Sequence, residues 1–558
     1  MDALGGLCAG AALAALPRGS GPLALALGAA LGALAVAWLS RGESAEPARA
    51  ASALADWSER LAPWTALLFF VPVFTLAVAP GIDMAMHAAL ARALEDGARE
   101  LSPAWPGVAP AVYPRGFSAL MALLSLAGNA RGSLIAGGIA FALYQSGAAR
   151  LFAACGLRRP ALLAALAALL SRTPQIWFTW GGLPNVLALG LGLRAAALAL
   201  PRAGEPPAFD RSRALAAALL LAGAGAVHPT GALAAALALG AVTLLAFLRT
   251  RAMKTLASAL GALAALAVIF ALVAALGPSM SPRELTWMAN YARTTEAIVR
   301  GPPALFFLNI WRALGPALGD RWTIACALAC AWLGFAALRA RDAARLQPLA
   351  LPLLAVLGLG ALLALAPLVP HLGLYFYPSR FAPLLALATA PLLDAALAGD
   401  QRYSVDSVHL YHAFPEASPA PRGHFSSPPE AQFAMVLLLA CALATNLHSF
   451  QRAAPLASRD DLSALDCLAA SVPPDAVIEG AYDDATEWIP ALTGRRVTQP
   501  QKHCSLFDEG DAGLDKLHAN YRYTGDGARA AKPFTAPEGS APPICASGAA
   551  RLWALPGR

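Results

Sequence analysis

The chain has 558 residues, of which 58% are hydrophobic and 13% charged, and its formal net charge is +7. A soluble protein of this length carries about a quarter charged residues, so the composition excludes a disordered chain and argues for a polytopic membrane protein. Ala and Leu dominate without the alternation a β-barrel needs, and no basic stripe interleaved with aromatics exists, which argues against nucleic-acid binding.

The expected fold is an all-α polytopic membrane domain over residues 1–448, followed by a small α/β soluble domain over 449–558. Roughly thirteen apolar runs come near the ~20 residues a bilayer crossing needs. They fall at 3–16, 20–40, 61–80, 132–153, 160–173, 176–199, 213–227, 230–248, 255–276, 322–338, 347–366, 376–397 and 432–448. Met1-Asp2 lacks a basic leader, so the first run reads as an uncleaved helix. Arg158/Arg159, Arg202/Arg211/Arg213, Arg249/Arg251/Lys254 and Arg339/Arg341/Arg345 occupy alternate short loops. Placing those loops in the cytoplasm satisfies the positive-inside rule. The N-terminus is then cytoplasmic, and 81–131, 277–321 and the tail face outward.

Asp83 follows the apolar run Leu61 to Ala79 and a Pro80-Gly81 break, and opens Gly81-Ile-Asp-Met-Ala-Met-His87. A carboxylate and an imidazole four residues apart share one helix face. The pattern predicts an amphipathic helix to about Gly97, with Asp83, His87, Leu90 and Leu94 on the buried-facing side and Arg92, Glu95, Asp96 and Arg99 opposite. Two readings stand for the pair. Asp83 is a helix cap and His87 a packing residue, or Asp83 is a general base held where ionisable groups are costly.

Farther along the outer loop, Tyr113-Pro-Arg-Gly-Phe-Ser118 leads into the apolar stretch Gly116 to Ala127. That stretch is too short to cross a bilayer, so it is expected as a juxtamembrane helix on or dipping into the outer leaflet. Arg115 either grips a phosphate or snorkels to lipid headgroups.

Arg172, Trp177 and Trp180 belong to the outer turn Ser171-Arg-Thr-Pro-Gln-Ile-Trp-Phe-Thr-Trp-Gly-Gly; the tryptophans are belt residues or sugar-stacking platforms. His228-Pro-Thr230 joins two spans on the same side, either as a solvated helix break or as a cavity lining. His371, Tyr375, Tyr377 and Arg380 lie in Pro370-His-Leu-Gly-Leu-Tyr-Phe-Tyr-Pro-Ser-Arg380 and form an anionic-headgroup site or an aromatic belt with a snorkelling Arg. The outward tail contains Cys467, Cys504 and Cys545, enough for one disulfide with one thiol left over. P-loop, dinucleotide-fingerprint and His-Glu-x-x-His motifs are missing.

This order of parts resembles the integral-membrane GT-C class of glycosyltransferases, which includes protein mannosyltransferases and arabinosyltransferases. The residues that carry the resemblance are Gly-Ile-Asp83-Met-Ala-Met-His87, Tyr113-Pro-Arg-Gly-Phe117, His228-Pro-Thr and Tyr377-Pro-Ser-Arg380, which look like bacterial members of that class. It implies a multi-pass protein of a bacterial inner (cytoplasmic) membrane. It further implies a polyprenyl-phosphate-sugar donor and a glycan, lipid or protein acceptor. Asp83 falls at the class's first-loop catalytic Asp, and His87 supports it or binds the donor. Arg380, with Arg115 or Arg172, would hold the lipid phosphate beside Tyr375, Tyr377 and His371. Tyr113, Trp177, Trp180 and His228 would line the substrate cavity. A divalent cation is neither required nor excluded. Two other classes fit the same residues: a transporter or lipid flippase, and a scaffold whose tail binds a partner through Asp483, Asp484, Glu487 and Trp488.

Overall fold

The structure, a computed structural model, describes residues 1–16, 21–40, 57–97, 115–124, 128–155, 159–171, 181–200, 210–228, 321–340, 382–397, 455–481, 484–498, 518–526 and 541–555, with a few isolated positions between them. These residues are mostly helical, with one small sheet near the C-terminus. The runs expected at 230–248, 255–276, 347–366 and 432–448 lie almost wholly outside the described residues.

Helices α1 (Asp2–Ala14) and α2 (Pro22–Leu39) cross through glycines. A Cβ placed on Gly6 would stand 2.3 Å from the Gly32 carbonyl oxygen, and one on Gly10 would stand 2.0 Å from that of Gly28. Glycines spaced four apart on both helices let the backbones touch, which is how helices associate where burial from water gives no drive. Leu23, Leu27, Leu31, Leu34 and Trp38 point outward from α2. Among the described residues, α2 is the one helix long and apolar enough to cross a membrane by itself; α1, Pro160–Leu170 and Leu183–Ala199 are shorter apolar helices.

The run expected as one span over 61–80 is broken instead into α3 (Trp57–Leu61), a 3-10 stretch (Ala62–Phe70) and α4 (Val71–Thr75). Pro63 and Pro72 are the cause, because each lacks an amide donor and crowds the carbonyl four residues before it. The stretch is held laterally. Gln145 Nε2 donates to the Ala62 carbonyl at 2.8 Å and to Thr65 Oγ1 at 3.0 Å, and Phe69 stacks on Phe141 at 4.1 Å.

Among the described residues, four further helices belong to the bundle: α7 (Gly132–Ala154), α8 (Pro160–Leu170), α9 (Leu183–Ala199) and α10 (Arg211–Val227). Their charged groups gather at one end. Asp2 accepts from both Arg150 and Arg194. Arg194 also donates to Ser146 Oγ at 2.9 Å, and Arg213 donates to the Leu200 carbonyl at 3.0 Å. Glu59 caps α8, accepting from the amides of Ala161 and Leu162 at 2.7 and 2.8 Å. Guanidinium groups paired in this way avoid the cost of an isolated charge.

At the opposite end lie α5 (Ile82–Glu95) and α6 (Gly116–Leu123). Every residue of α6 from Gly116 to Ala122 is buried. Of the two expected placements, on the leaflet or dipping into it, lying on the surface is corrected: α6 is short but packs inside the bundle, against α1, α7, α9 and α10. An apolar run fits protein or lipid equally well, and its length alone does not choose. Beyond the bundle, α11 (Arg321–Ala340) and α12 (Ala382–Leu397) pack on each other and on α8.

The tail folds as α13 (Arg459–Ser471), β1 (Val477–Glu479), a 3-10 turn (Ala485–Trp488), α14 (Ile489–Thr493), β2 (Arg496–Val497), β3 (Tyr521–Thr524), β4 (Cys545–Ser547) and β5 (Ala550–Ala554). The sheet runs β2-β1-β3-β5-β4, parallel on one side of β3 and antiparallel on the other. Ser458 and Asp461 form a reciprocal capping box at the start of α13. A disulfide between Cys467 and Cys545 ties α13 to β4; Cys504 lies outside the described residues.

Because the α1/α2 crossing has no room for even a methyl group, Gly10→Ala is expected to destabilise the protein by about 1–3 kcal/mol. Nothing stands within 4 Å of a Cβ at Gly128, so Gly128→Ala is expected to change stability by less than about 0.5 kcal/mol. Thermal unfolding in detergent micelles measures both, and equal midpoints would contradict the crossing.

Candidate functional site

The site is built where α5 meets the end of the bundle remote from the Asp2 cluster. Gly81 is the N-cap of α5, in extended conformation, and Asp83 sits in the first helical turn. It is therefore not the cap residue, although a carboxylate there complements the helix dipole. Asp83 is half-buried. One wall beside it is backbone. Gly181 has φ +97°, and a Cβ on it would stand 2.9 Å from Asp83 Cβ and 3.2 Å from the amide nitrogens of Asp83 and Met84. Only glycine both adopts this φ freely and permits the approach, so Gly181, ahead of α9, is pressed against the first turn of α5.

His87 lies one turn along α5 and is 1% exposed. Its Nδ1 is 3.2 Å from Ser118 Oγ, and its ring meets Phe117 edge-on at 5.5 Å. Burial pushes the imidazole pKa down to about 3, so the ring is neutral at physiological pH. His87 is thus a neutral group that joins α5 to α6 through Ser118 and Phe117. Leu90 and Leu94 are buried on the same helix, and Gly97, at φ +65°, closes the helix end.

Arg115 is 4% exposed, which overturns the headgroup-snorkelling reading. It is the N-cap of α6, and its neighbour Gly116 is packed so that a Cβ would stand 2.7 Å from both Ala12 Cβ and Val227 Cα. His228, next to Val227, caps α10 and donates its amide to the Ala224 carbonyl at 2.8 Å. Asp83, His87, Arg115 and His228 thus stand at one end of the bundle, on elements packed side by side. Tyr113, Arg172, Trp177, Trp180, His371, Tyr375, Tyr377 and Arg380 lie outside the described residues.

Several participants were not evident from sequence. Ser118 was visible only as the end of the Tyr-Pro-Arg-Gly-Phe-Ser string, and the paired glycines after Trp180 were the one signal for Gly181. Ser133 Oγ and Asn185 Oδ1, in the first turns of α7 and α9, are buried and have no hydrogen-bond partner among the described residues. Buried polar atoms of this kind are rare and call for a reason. Among the described residues no group of three or more His, Cys, Asp or Glu is arranged to hold a metal ion.

The acidic segment of the tail is not an exposed partner patch. Asp484, Glu487 and Trp488 are each 1% exposed or less; Asp483 lies outside the described residues. Burial raises the Asp484 carboxyl to about 6, against the amide hydrogen bonds from Gly525 and Ala485, with Asp461 adding repulsion.

Two pH effects of opposite sign follow. His87 stays unprotonated when folded but titrates near its ordinary 6.5 when unfolded, so its contribution to stability is lost as pH falls below 6.5, at about 1.4 kcal/mol per unit. Asp484 keeps its proton longer in the folded state, so its contribution is present below about 4 and lost as pH rises through 6. Unfolding midpoints between pH 4 and 8 are expected to lose the acid-sensitive component in His87→Gln and the alkaline-sensitive component in Asp484→Asn. Profiles parallel to wild type would contradict these assignments.

Comparison with known proteins supplies a family. Residues 3–514 match the model of a family of unknown function (DUF6541), and the chain belongs to it. No curated protein matches the chain. Among solved structures, it is similar to the archaeal oligosaccharyltransferase AglB from Archaeoglobus fulgidus in complex with an inhibitory peptide and a dolichol-phosphate. That likeness has 14% identity and TM-score 0.43, and covers 84% of this chain and 69% of AglB. It is also similar to the arabinofuranosyltransferase AftD from Mycobacteria, with 18% identity and TM-score 0.39, over 77% of this chain and 31% of AftD.

Proposed function

We propose that this DUF6541 member is an integral-membrane glycosyltransferase of the GT-C type, which moves a sugar from a polyprenyl-phosphate-linked donor to an acceptor hydroxyl on the extracytoplasmic side. The observation that carries the reading is Asp83, a half-buried carboxylate in the first turn of α5, walled by the Gly181 backbone. It stands at the bundle end opposite the paired arginines. The motifs around Asp83, Tyr113, His228 and Arg380 support it through their resemblance to that class.

The chemistry is a single displacement. Asp83 accepts the proton of the acceptor hydroxyl as its oxygen attacks the anomeric carbon, and the bond from that carbon to the phosphate oxygen breaks. The electron pair leaves on the lipid phosphate, and the anomeric centre inverts. A guanidinium aimed at the departing phosphate stabilises the charge that develops there, and Arg115, Arg172 and Arg380 are the candidates. His87, neutral and bonded to Ser118, positions α5 and carries no charge to the donor. Ser133 and Asn185 offer polar atoms that a sugar's hydroxyls would satisfy.

The finer architecture belongs to the same proposal: about thirteen spans in residues 1–448, a cytoplasmic N-terminus, and an extracytoplasmic domain from 449 in a bacterial inner membrane. The arginines clustered with Asp2 agree with the positive-inside rule, and the Cys467–Cys545 disulfide suits an oxidising compartment.

In liposomes supplied with a panel of radiolabelled polyprenyl-phosphate sugars, wild type is expected to transfer label to an acceptor. Asp83→Asn is expected to lose about 10²–10⁴ in rate while remaining folded. A parallel arm with chelator reads any need for a divalent cation. Full transfer by Asp83→Asn would refute the assignment; Asp83-dependent movement of lipid without sugar transfer would favour the transporter reading.

A further inference from the structure

The middle of helix α5 is buried on every side. Each residue from Met84 to Ala91 is buried, although a helix at a bundle surface normally exposes a polar face. The bundle covers one side through α6 and α7, and the C-terminal domain covers the other through its 3-10 turn and α14. Arg92 joins the two. Its Nη1 donates to the Ala491 carbonyl at 3.0 Å, one of the last-turn carbonyls of α14 that lack an amide within the helix. Gly494 follows at φ +74°, and a Cβ there would stand 3.2 Å from Arg92 Nη2.

The far side of this contact is anchored. Arg495 Nη2 donates to the carbonyls of Ala469 and Val472, each at 2.7 Å, which fastens the end of α14 to the end of α13. The Cys467–Cys545 disulfide fastens α13 to the sheet. Asp83 and Arg92 therefore lie on one rigid helix about 14 Å apart, the first against Gly181 and the second in the grip of the folded tail.

We propose that the C-terminal domain is a clamp that sets the position of α5, with Arg92 the positioning residue that transmits it to Asp83. This rests on the reading of Asp83 as the general base. Arg92 touches no substrate. It keeps the helix seated so that the carboxylate stays within reach of the acceptor hydroxyl, where misplacement by about 1 Å can cost 10²-fold in rate.

The test uses the full chain as wild type, Arg92→Ala, Arg92→Lys and Gly494→Ala, the last disturbing the same contact from the tail. Amide hydrogen exchange reads the seating of α5, and transfer from the polyprenyl-phosphate sugar panel reads its consequence. Arg92→Ala and Gly494→Ala are expected to speed exchange over residues 84–91 about tenfold, the loss of one charge-assisted hydrogen bond, while α7 and α9 stay protected. Both are expected to lower kcat about tenfold with KM within about twofold of wild type, and Arg92→Lys to restore part of each. Unchanged exchange over 84–91 in both variants would overturn the clamp. Faster exchange with unchanged kcat would overturn the positioning role. Should wild type transfer none of the sugars, the functional reading fails by itself, and the exchange data still decide the clamp.

Discussion

The approach of Gly181 to the first turn of α5 is the contact on which the rest depends. It joins the turn ahead of α9 to the first turn of α5, two segments about a hundred residues apart, with Gly181 set against Asp83 Cβ and the amides of Asp83 and Met84. A larger residue at 181 would push α5 away and take Asp83 with it. Seated there, α5 lays His87 against Ser118 and Phe117 and leaves its other face for the folded tail. The Asp83 carboxylate is thereby a held one, which the proposed role as base requires.

Charge is divided between the two ends of the bundle. At one end, Asp2, Arg150, Arg194 and Ser146 form a closed network, and Glu59 and Arg213 satisfy helix termini. Those groups are occupied with one another and hold helices together. At the other end, Ser133 Oγ and Asn185 Oδ1 are buried without a partner among the described residues.

Much of this was legible in the sequence, and what was not had identifiable causes. The helices α2, α7 and α10 lie where the apolar runs place them, and the i, i+4 spacing of Asp83 and His87 was sufficient to share a face. The shift to mixed patterning after 448 agrees with the small sheet near the C-terminus, and the tail cysteines permitted a disulfide without saying that Cys467 and Cys545 form it. Pro63 and Pro72 were readable as breaks but were outweighed by the apolarity of the run around them. The depth of α6 was not readable, because apolarity does not say whether a segment faces lipid or protein. Arg115 looked like an interfacial cation for the same reason. The Arg92–Ala491 bond joins residues 399 apart and leaves no local trace. Asp484 and Glu487 read as part of a partner-binding patch because their burial depends on a sheet whose strands are scattered through the tail.

The central claim, that a lipid-linked sugar is presented to the first turn of α5, is tested most directly by photolabelling. A polyprenyl-phosphate sugar carrying a diazirine on the sugar ring is irradiated with the reconstituted protein, and the labelled peptides are sequenced by mass spectrometry. The account predicts label on the segments around Asp83 and Gly181, displaced by unlabelled polyprenyl phosphate sugar. Label confined to the end that holds Asp2, Arg150 and Arg194, or label that excess donor fails to displace, would contradict it.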